Sequence, residues 1–197
     1  MNSKTTEEKK ILRKLMRSRL EDYFSSNDGK IDSALVSRKV LELDEFKSSH
    51  VVLAFLSTKN EIDSQLIIDV ALATGKTVAV PKVKSECDMD FFILNPDEPL
   101  ENQVAQGSFG ILEPNDGLTL FQSEHFSGQK IFVVVPGLSF SQGGSRLGKG
   151  KGFYDRFIRK MRDAGANLFL CGICFPFQIE QAVPENDFDE KMDFVAY

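Results

Sequence analysis

Apolar positions recur along this chain at two different spacings. Residues 6–24 place Leu12, Leu15, Met16, Leu20 and Tyr23 one helical turn apart, which predicts an amphipathic helix opened by a capping box of Thr5 and Glu8. Lys9 and Arg13 share a face of that helix, and both a solvated basic face and an anion contact fit them. Residues 25–30 read as a loop, and residues 32–46, with Leu35, Val36, Val40 and Leu41, as a second amphipathic helix. The period changes at residues 51–56, VVLAFL, a buried strand that runs into the polar loop 57–61. Asp63 then caps a helix to about residue 74, Gly75 lies beyond its end, and residues 77–80 return as a strand. Strand, helix and strand make a βαβ unit, so the sheet is expected to be largely parallel. Further strands are predicted at 89–94, at 131–135, centrally at 168–175, and as an edge at 194–196, with residues 95–117 irregular and a helix from about Gly152 to Gly165. There is no internal repeat and no linker, so one α/β domain accounts for all 197 residues.

Composition narrows the function mainly by exclusion. The longest apolar runs are far too short to span a bilayer, and the charged start MNSKTTEEKK is no secretory signal, so a cytoplasmic protein without a membrane partner is expected, acting as a monomer. A net charge of −5 argues against a nucleic-acid partner. That charge is uneven: residues 1–40 carry ten Lys/Arg against six Asp/Glu, whereas the last eighteen residues carry one Lys against six acids. The basic first helix is thus suited to an anionic ligand. Three cysteines are too few for a disulfide framework, and Cys171 and Cys174, three apart in a strand, face opposite sides of it. Two histidines cannot supply a tri-histidine metal site.

The chemistry concentrates in residues 133–158, VVVPGLSFSQGGSRLGKGKGFYDRFI. Five of the fourteen glycines fall within residues 143–152, interleaved with Arg146, Lys149 and Lys151, and no carboxylate lies between Glu124 and Asp155. Glycines at 148, 150 and 152 can take up φ > 0 and let backbone N–H groups converge on a ligand, next to the start of a helix. This combination reads as a polyphosphate cradle, with a flexible solvated loop as the plain alternative. A P-loop is excluded because Gly150 stands where a hydroxyl should bind magnesium. The Rossmann fingerprint fails on glycine placement, and the nucleophile elbow fails because Ser141 replaces its last glycine.

Pro136-Gly-Leu-Ser-Phe140 followed by Gly144-Ser-Arg146-Leu-Gly148-Lys-Gly150-Lys-Gly152-Phe-Tyr154-Asp155 resembles the signature of the 5-formyltetrahydrofolate cyclo-ligase (methenyltetrahydrofolate synthetase) family. Lys9-x-x-x-Arg13, Phe55-Leu-Ser57 with Glu61-Ile-Asp63, Pro81-Lys82, Gly110-Ile with Glu113-Pro114, and Pro184 with Asp187 follow the family's order. The resemblance implies a three-layer α/β/α sandwich and an ATP- and Mg2+-dependent ligase acting on 5-formyltetrahydrofolate. It implies that Lys9, Lys10, Ile11, Leu12 and Arg13 contact ATP, together with Arg146, Leu147, Gly148, Lys149, Gly150, Lys151, Gly152, Phe153 and Tyr154. It likewise implies that the folate is bordered by Arg13, Leu56, Glu61, Lys149, Gly150, Lys151, Gly152 and Phe153, and that Asp155 and Asp187 hold magnesium. Arg146, Lys149, Lys151 and Tyr154 are the implied catalytic groups. Two positions depart from the family pattern. Ser141 replaces an aspartate but can accept a backbone hydrogen bond, and Phe153 replaces the first tyrosine of Tyr-Tyr-Asp, leaving Tyr154 as the surviving phenol. A protein that binds these ligands without turnover is the alternative reading.

Overall fold

Consecutive residues of the first strand enter two different cores. In the computed structural model, which describes residues 3–86, 88–107 and 111–197, Val51 and Leu53 of β1 (Val51–Leu53) pack in one buried cluster. Val52, with Ala54 just beyond, packs in the other. Such a strand is covered on both faces, as the unbroken apolar run requires. β2 (Thr77–Val83) and β7 (Lys130–Pro136) flank β1 in parallel, β10 (Asn167–Ile173) pairs in parallel with β7, and β11 (Phe194–Ala196) with β10. β3 (Met89–Ile93) and β6 (Thr119–Leu120) complete the seven-stranded sheet in antiparallel pairings, giving the order β11-β10-β7-β1-β2-β3-β6.

Four helices cover one face. Met16 and Leu20 of α1 (Ser3–Ser26), Val36 and Val40 of α2 (Lys30–Glu42), Phe46 of α3 (Asp44–Lys47), and Ile67, Ile68 and Ala71 of α4 (Gln65–Ala73) share a cluster with Val78, Phe132 and Val134. A short helix, α5 (Leu100–Gln103), packs Leu100 against the same cluster, and α6 (Phe153–Asp163) sets Ile158 and Met161 on the opposite face with Leu53, Val133 and Leu170. The α/β/α architecture is therefore as expected. Among the described residues, no helix is long and apolar enough to cross a membrane.

Several local expectations are corrected. α1 begins at Ser3, which puts Thr5 inside its first turn rather than at a cap. Its buried stripe is narrower than predicted, because Leu15 is 43% exposed while Met16 docks. The second helix breaks at Leu43, whose extended backbone starts α3 and lets Phe46 pack edge-on to Phe132. Ser64, not Asp63, is the N-cap position of α4, yet Asp63 Oδ1 still accepts the Gln65 N–H at 2.9 Å. β10 lies one strand in from the edge rather than at the centre. Residues 95–117 are less irregular than expected: they hold α5 and an antiparallel pair, β4 (Val104–Gln106) with β5 (Leu112–Pro114). Gly110 and Cys87 lie outside the described residues. Cys171 and Cys174 enter opposite cores as unbridged thiols. Burial pushes the Cys171 thiol well up and that of Cys174 up to about 12, which suits inert structural cysteines.

Candidate active site

β7 delivers Pro136 to the carboxyl edge of the sheet, where the chain doubles back in a hairpin of β8 (Ser139–Phe140) and β9 (Arg146–Leu147). Two-residue strands carry no readable periodicity, so this hairpin was not predicted. Ser141 Oγ accepts the Ser145 N–H at 3.1 Å and so stabilises the turn, as proposed for it. Gly150 (φ 113°) and Gly152 (φ 67°) adopt the left-handed region that favours glycine. Gly148 does not; there a side chain would meet the guanidinium of Arg146, 2.9 Å from an added Cβ. Gly152 is the N-cap of α6 and no side chain caps the helix, which leaves first-turn N–H groups for a ligand.

Beside this loop opens a cavity of about 520 Å³. Thr6, Lys9 and Arg13 line it from α1, Arg146 to Gly148 and Gly150 to Gly152 from the loop, Asp155, Arg156 and Arg159 from α6, and Asn186, Phe188 and Asp189 from the C-terminal segment. Lys9 is buried and ion-paired with Asp189, and Arg13 Nε donates to the Gly148 carbonyl at 3.0 Å. The solvated-face reading of this pair is thereby overturned. Burial and the like charge of Arg17 pull the Arg13 guanidinium below its ordinary value, with Asp189 opposing them. Of the intervening residues, Lys10 lies 3.7 Å from Glu7, Ile11 is exposed, and Leu12 packs on the core, so none of the three lines the cavity.

Arg146, with its side chain 4% exposed, meets Asp155 Oδ1 at 2.7 Å and the Pro136 carbonyl at 3.2 Å. Leu147 is buried. Burial alone would raise the Asp155 carboxyl, but Arg146 and the Glu190 N–H outweigh it and hold the group below the usual carboxylate value.

The cavity is not carboxylate-free, as the sequence suggested, because Asp155 and Asp189 both line it. The expected metal partner of Asp155, Asp187, is exposed and outside the cavity lining, and its carbonyl accepts from Arg159 at 3.1 Å. Asp189 was missed because residues 185–190 hold four acids with no periodicity to choose among them. The described residues contain no cluster of three or more His, Cys, Asp or Glu able to hold a metal. They do fit magnesium carried in on phosphates, which needs only one or two carboxylates. Arg146 and the Glu190 N–H both meet Asp155 at Oδ1, and Lys9 and the Asn186 N–H both meet Asp189 at Oδ2.

Lys149, Glu61, Leu56, Tyr154 and Phe153 are not among the residues that line this cavity. Glu61 Oε2 accepts the Thr58 N–H at 2.9 Å and its hydroxyl at 2.7 Å, while Oε1 meets Lys149 Nζ at 2.7 Å. This bridge ties the glycine loop to the exit of β1, where Leu56 is buried. The Tyr154 hydroxyl is buried without a hydrogen-bond partner among the described residues, and Arg146 lies 5.8 Å over its ring. Burial, then the charge of Glu61, push the phenol upward against the pull of Arg146, so it stays protonated and able to donate. Phe153 lines a neighbouring cavity with Phe157, Lys84 and Lys160.

Fold and site together define an α/β protein with a cation-lined cavity beyond the carboxyl ends of parallel strands, the usual ligand position in such sheets. The model of the 5-formyltetrahydrofolate cyclo-ligase family matches residues 5–197, and the chain belongs to that family of ligases. It is 31% identical over 196 residues to a Schizosaccharomyces pombe protein named "Probable 5-formyltetrahydrofolate cyclo-ligase", spanning 91% of this chain and 93% of that one. It is 27% identical to the 5-formyltetrahydrofolate cyclo-ligase of Mus musculus, over 96% and 93% of the two chains. The NMR structure of 5,10-methenyltetrahydrofolate synthetase from Aquifex aeolicus superposes with a TM-score of 0.74 at 26% identity, covering 95% of this chain and 88% of that one.

Proposed function

We propose that this chain converts 5-formyltetrahydrofolate to 5,10-methenyltetrahydrofolate at the expense of ATP. The observation that carries the reading is the cavity itself: six cationic side chains, Lys9, Arg13, Arg146, Lys151, Arg156 and Arg159, surround the uncapped start of α6. Glu61 stands across the same loop, tied to Lys149. A formamide oxygen is a poor leaving group, and N10 cannot close the ring while it remains. In the proposed reaction the formyl oxygen attacks the γ-phosphorus and ADP departs. N10 then adds to the activated carbon and gives up its proton, and the C–O bond breaks to release phosphate.

Such a transfer needs alignment and charge neutralisation more than a covalent nucleophile. Lys151 and the loop N–H groups supply positive potential, while Arg146 holds Asp155 beside them. Glu61 is the acceptor for the N–H groups of the pterin, and its release from Lys149 lets that lysine face the formyl oxygen. The Tyr154 hydroxyl is a buried donor able to stabilise that oxygen. Magnesium would be held by Asp155 and Asp189 and would supply charge neutralisation to the phosphates; the exposure of Asp187 outside the cavity lining supports Asp189 in that role.

The test is to incubate the purified protein with 5-formyltetrahydrofolate and MgATP and follow the near-ultraviolet absorbance of the methenyl product. The expected signal depends on both ATP and magnesium, and its absence removes the proposal. Calorimetric folate binding without ADP release would identify a binding protein instead.

A further inference from the structure

Among the described residues, nine large apolar side chains are exposed, and of these only Phe188 lines the cation-rich cavity. It is 60% exposed in an acid-rich run, between Asp187 and Asp189, so burial does not explain its apolar character. Its backbone is nevertheless fixed. The Phe188 N–H donates to Asn186 Oδ1 at 2.9 Å, the Asn186 N–H to Asp189 Oδ2 at 2.6 Å, and the Asp189 N–H to the Asn186 carbonyl at 3.1 Å. The ring is backed as well. The Arg159 guanidinium lies 5.8 Å from its centroid, anchored by the buried carboxylate of Glu190 at 3.2 Å and the Asp187 carbonyl at 3.1 Å.

A rigid, mostly bare ring at the wall of an anion cavity is placed to receive a flat aromatic group attached to that anion. We propose that Phe188, backed by Arg159, is the stacking platform for the purine base of the nucleotide whose phosphates lie among Lys9, Arg13 and Lys151. The cavity volume, about 520 Å³, suits a ligand of that size. The Arg159 guanidinium, 5.8 Å from the ring centroid, adds a cation–π contact to the stack. Stacking reads the π face rather than the base edges, so purine nucleotides are preferred over pyrimidine ones without strict choice among purines. This deepens the ATP reading and rests on it.

The chain contains no tryptophan, so Phe188→Trp introduces a single reporter at the platform. ADP titrated into that variant is expected to change its fluorescence saturably, whereas inorganic tripolyphosphate is not. In calorimetry, Phe188→Ala is expected to weaken ADP roughly 5- to 150-fold, the range of one lost base stack, and to leave tripolyphosphate affinity unchanged. Exposure of the side chain keeps the substitution compatible with folding. ADP binding that survives Phe188→Ala intact, or loss of ADP and tripolyphosphate in equal measure, overturns the platform alone. Failure of the unaltered protein to bind ADP removes the ATP reading and the platform with it.

Discussion

Lys151 and Asp155 stand on either side of the start of α6 and separate two kinds of loss. Lys151 is exposed at the cavity wall, so Lys151→Ala is expected to reduce turnover about a hundredfold or more, as removal of a preorganised charge does, with an unchanged denaturation midpoint. Asp155→Ala is expected to lose comparable turnover and also stability, by roughly 3–5 kcal/mol, because Arg146 is then left buried without its carboxylate. Steady-state kinetics beside urea denaturation checks both. Tyr23 carries a pH effect away from the site. Burial first, then its 2.5 Å hydrogen bond to Asp32, raise the phenol from 10.0 to about 12. A raised value means that the stabilisation is full below pH 10 and is lost as pH climbs towards 12. Tyr23→Phe is expected to flatten that alkaline decline, measured by denaturation at a series of pH values.

α6 presents the loop to the cavity, and its hold on the sheet is apolar. Ile158 is fully buried against the strands, so Ile158→Ala is expected to cost about 2–5 kcal/mol in denaturant unfolding while leaving the residues of the cavity wall chemically unchanged. This helix, like β1 and β7, was readable because each element repeats its pattern often enough to be seen: VVL and FVVV are unbroken apolar runs, and Phe157, Ile158 and Met161 recur at helical spacing. The β8–β9 hairpin was unreadable because two residues hold no period, and Leu15 was misjudged because propensity cannot tell which edge of a helical stripe docks. The glycine loop was legible as an anion cradle. That Gly148 is small to clear Arg146, not to reach φ > 0, required coordinates.

At the scale of the molecule, the cavity closes where the basic first helix meets the acidic last segment. Both charge excesses were visible in the sequence, but their meeting was not, since Lys9 and Asp189 are 180 positions apart and no local rule links them. Asp189→Ala is expected to lower stability by about 3–5 kcal/mol and weaken MgADP binding, because Lys9 is buried and loses its partner. Asp187→Ala, at an exposed carboxylate, is expected to stay within about 0.5 kcal/mol of the parent. Thermal and calorimetric titrations of the two variants distinguish them. The same ion pair sets a timetable for biosynthesis: a ribosome that has translated the first helix, the strands from β1 to β10 and the glycine loop still holds a polypeptide whose Lys9 lacks its partner. The pocket wall is completed only when residues 186–189 leave the exit tunnel and fold back onto that helix.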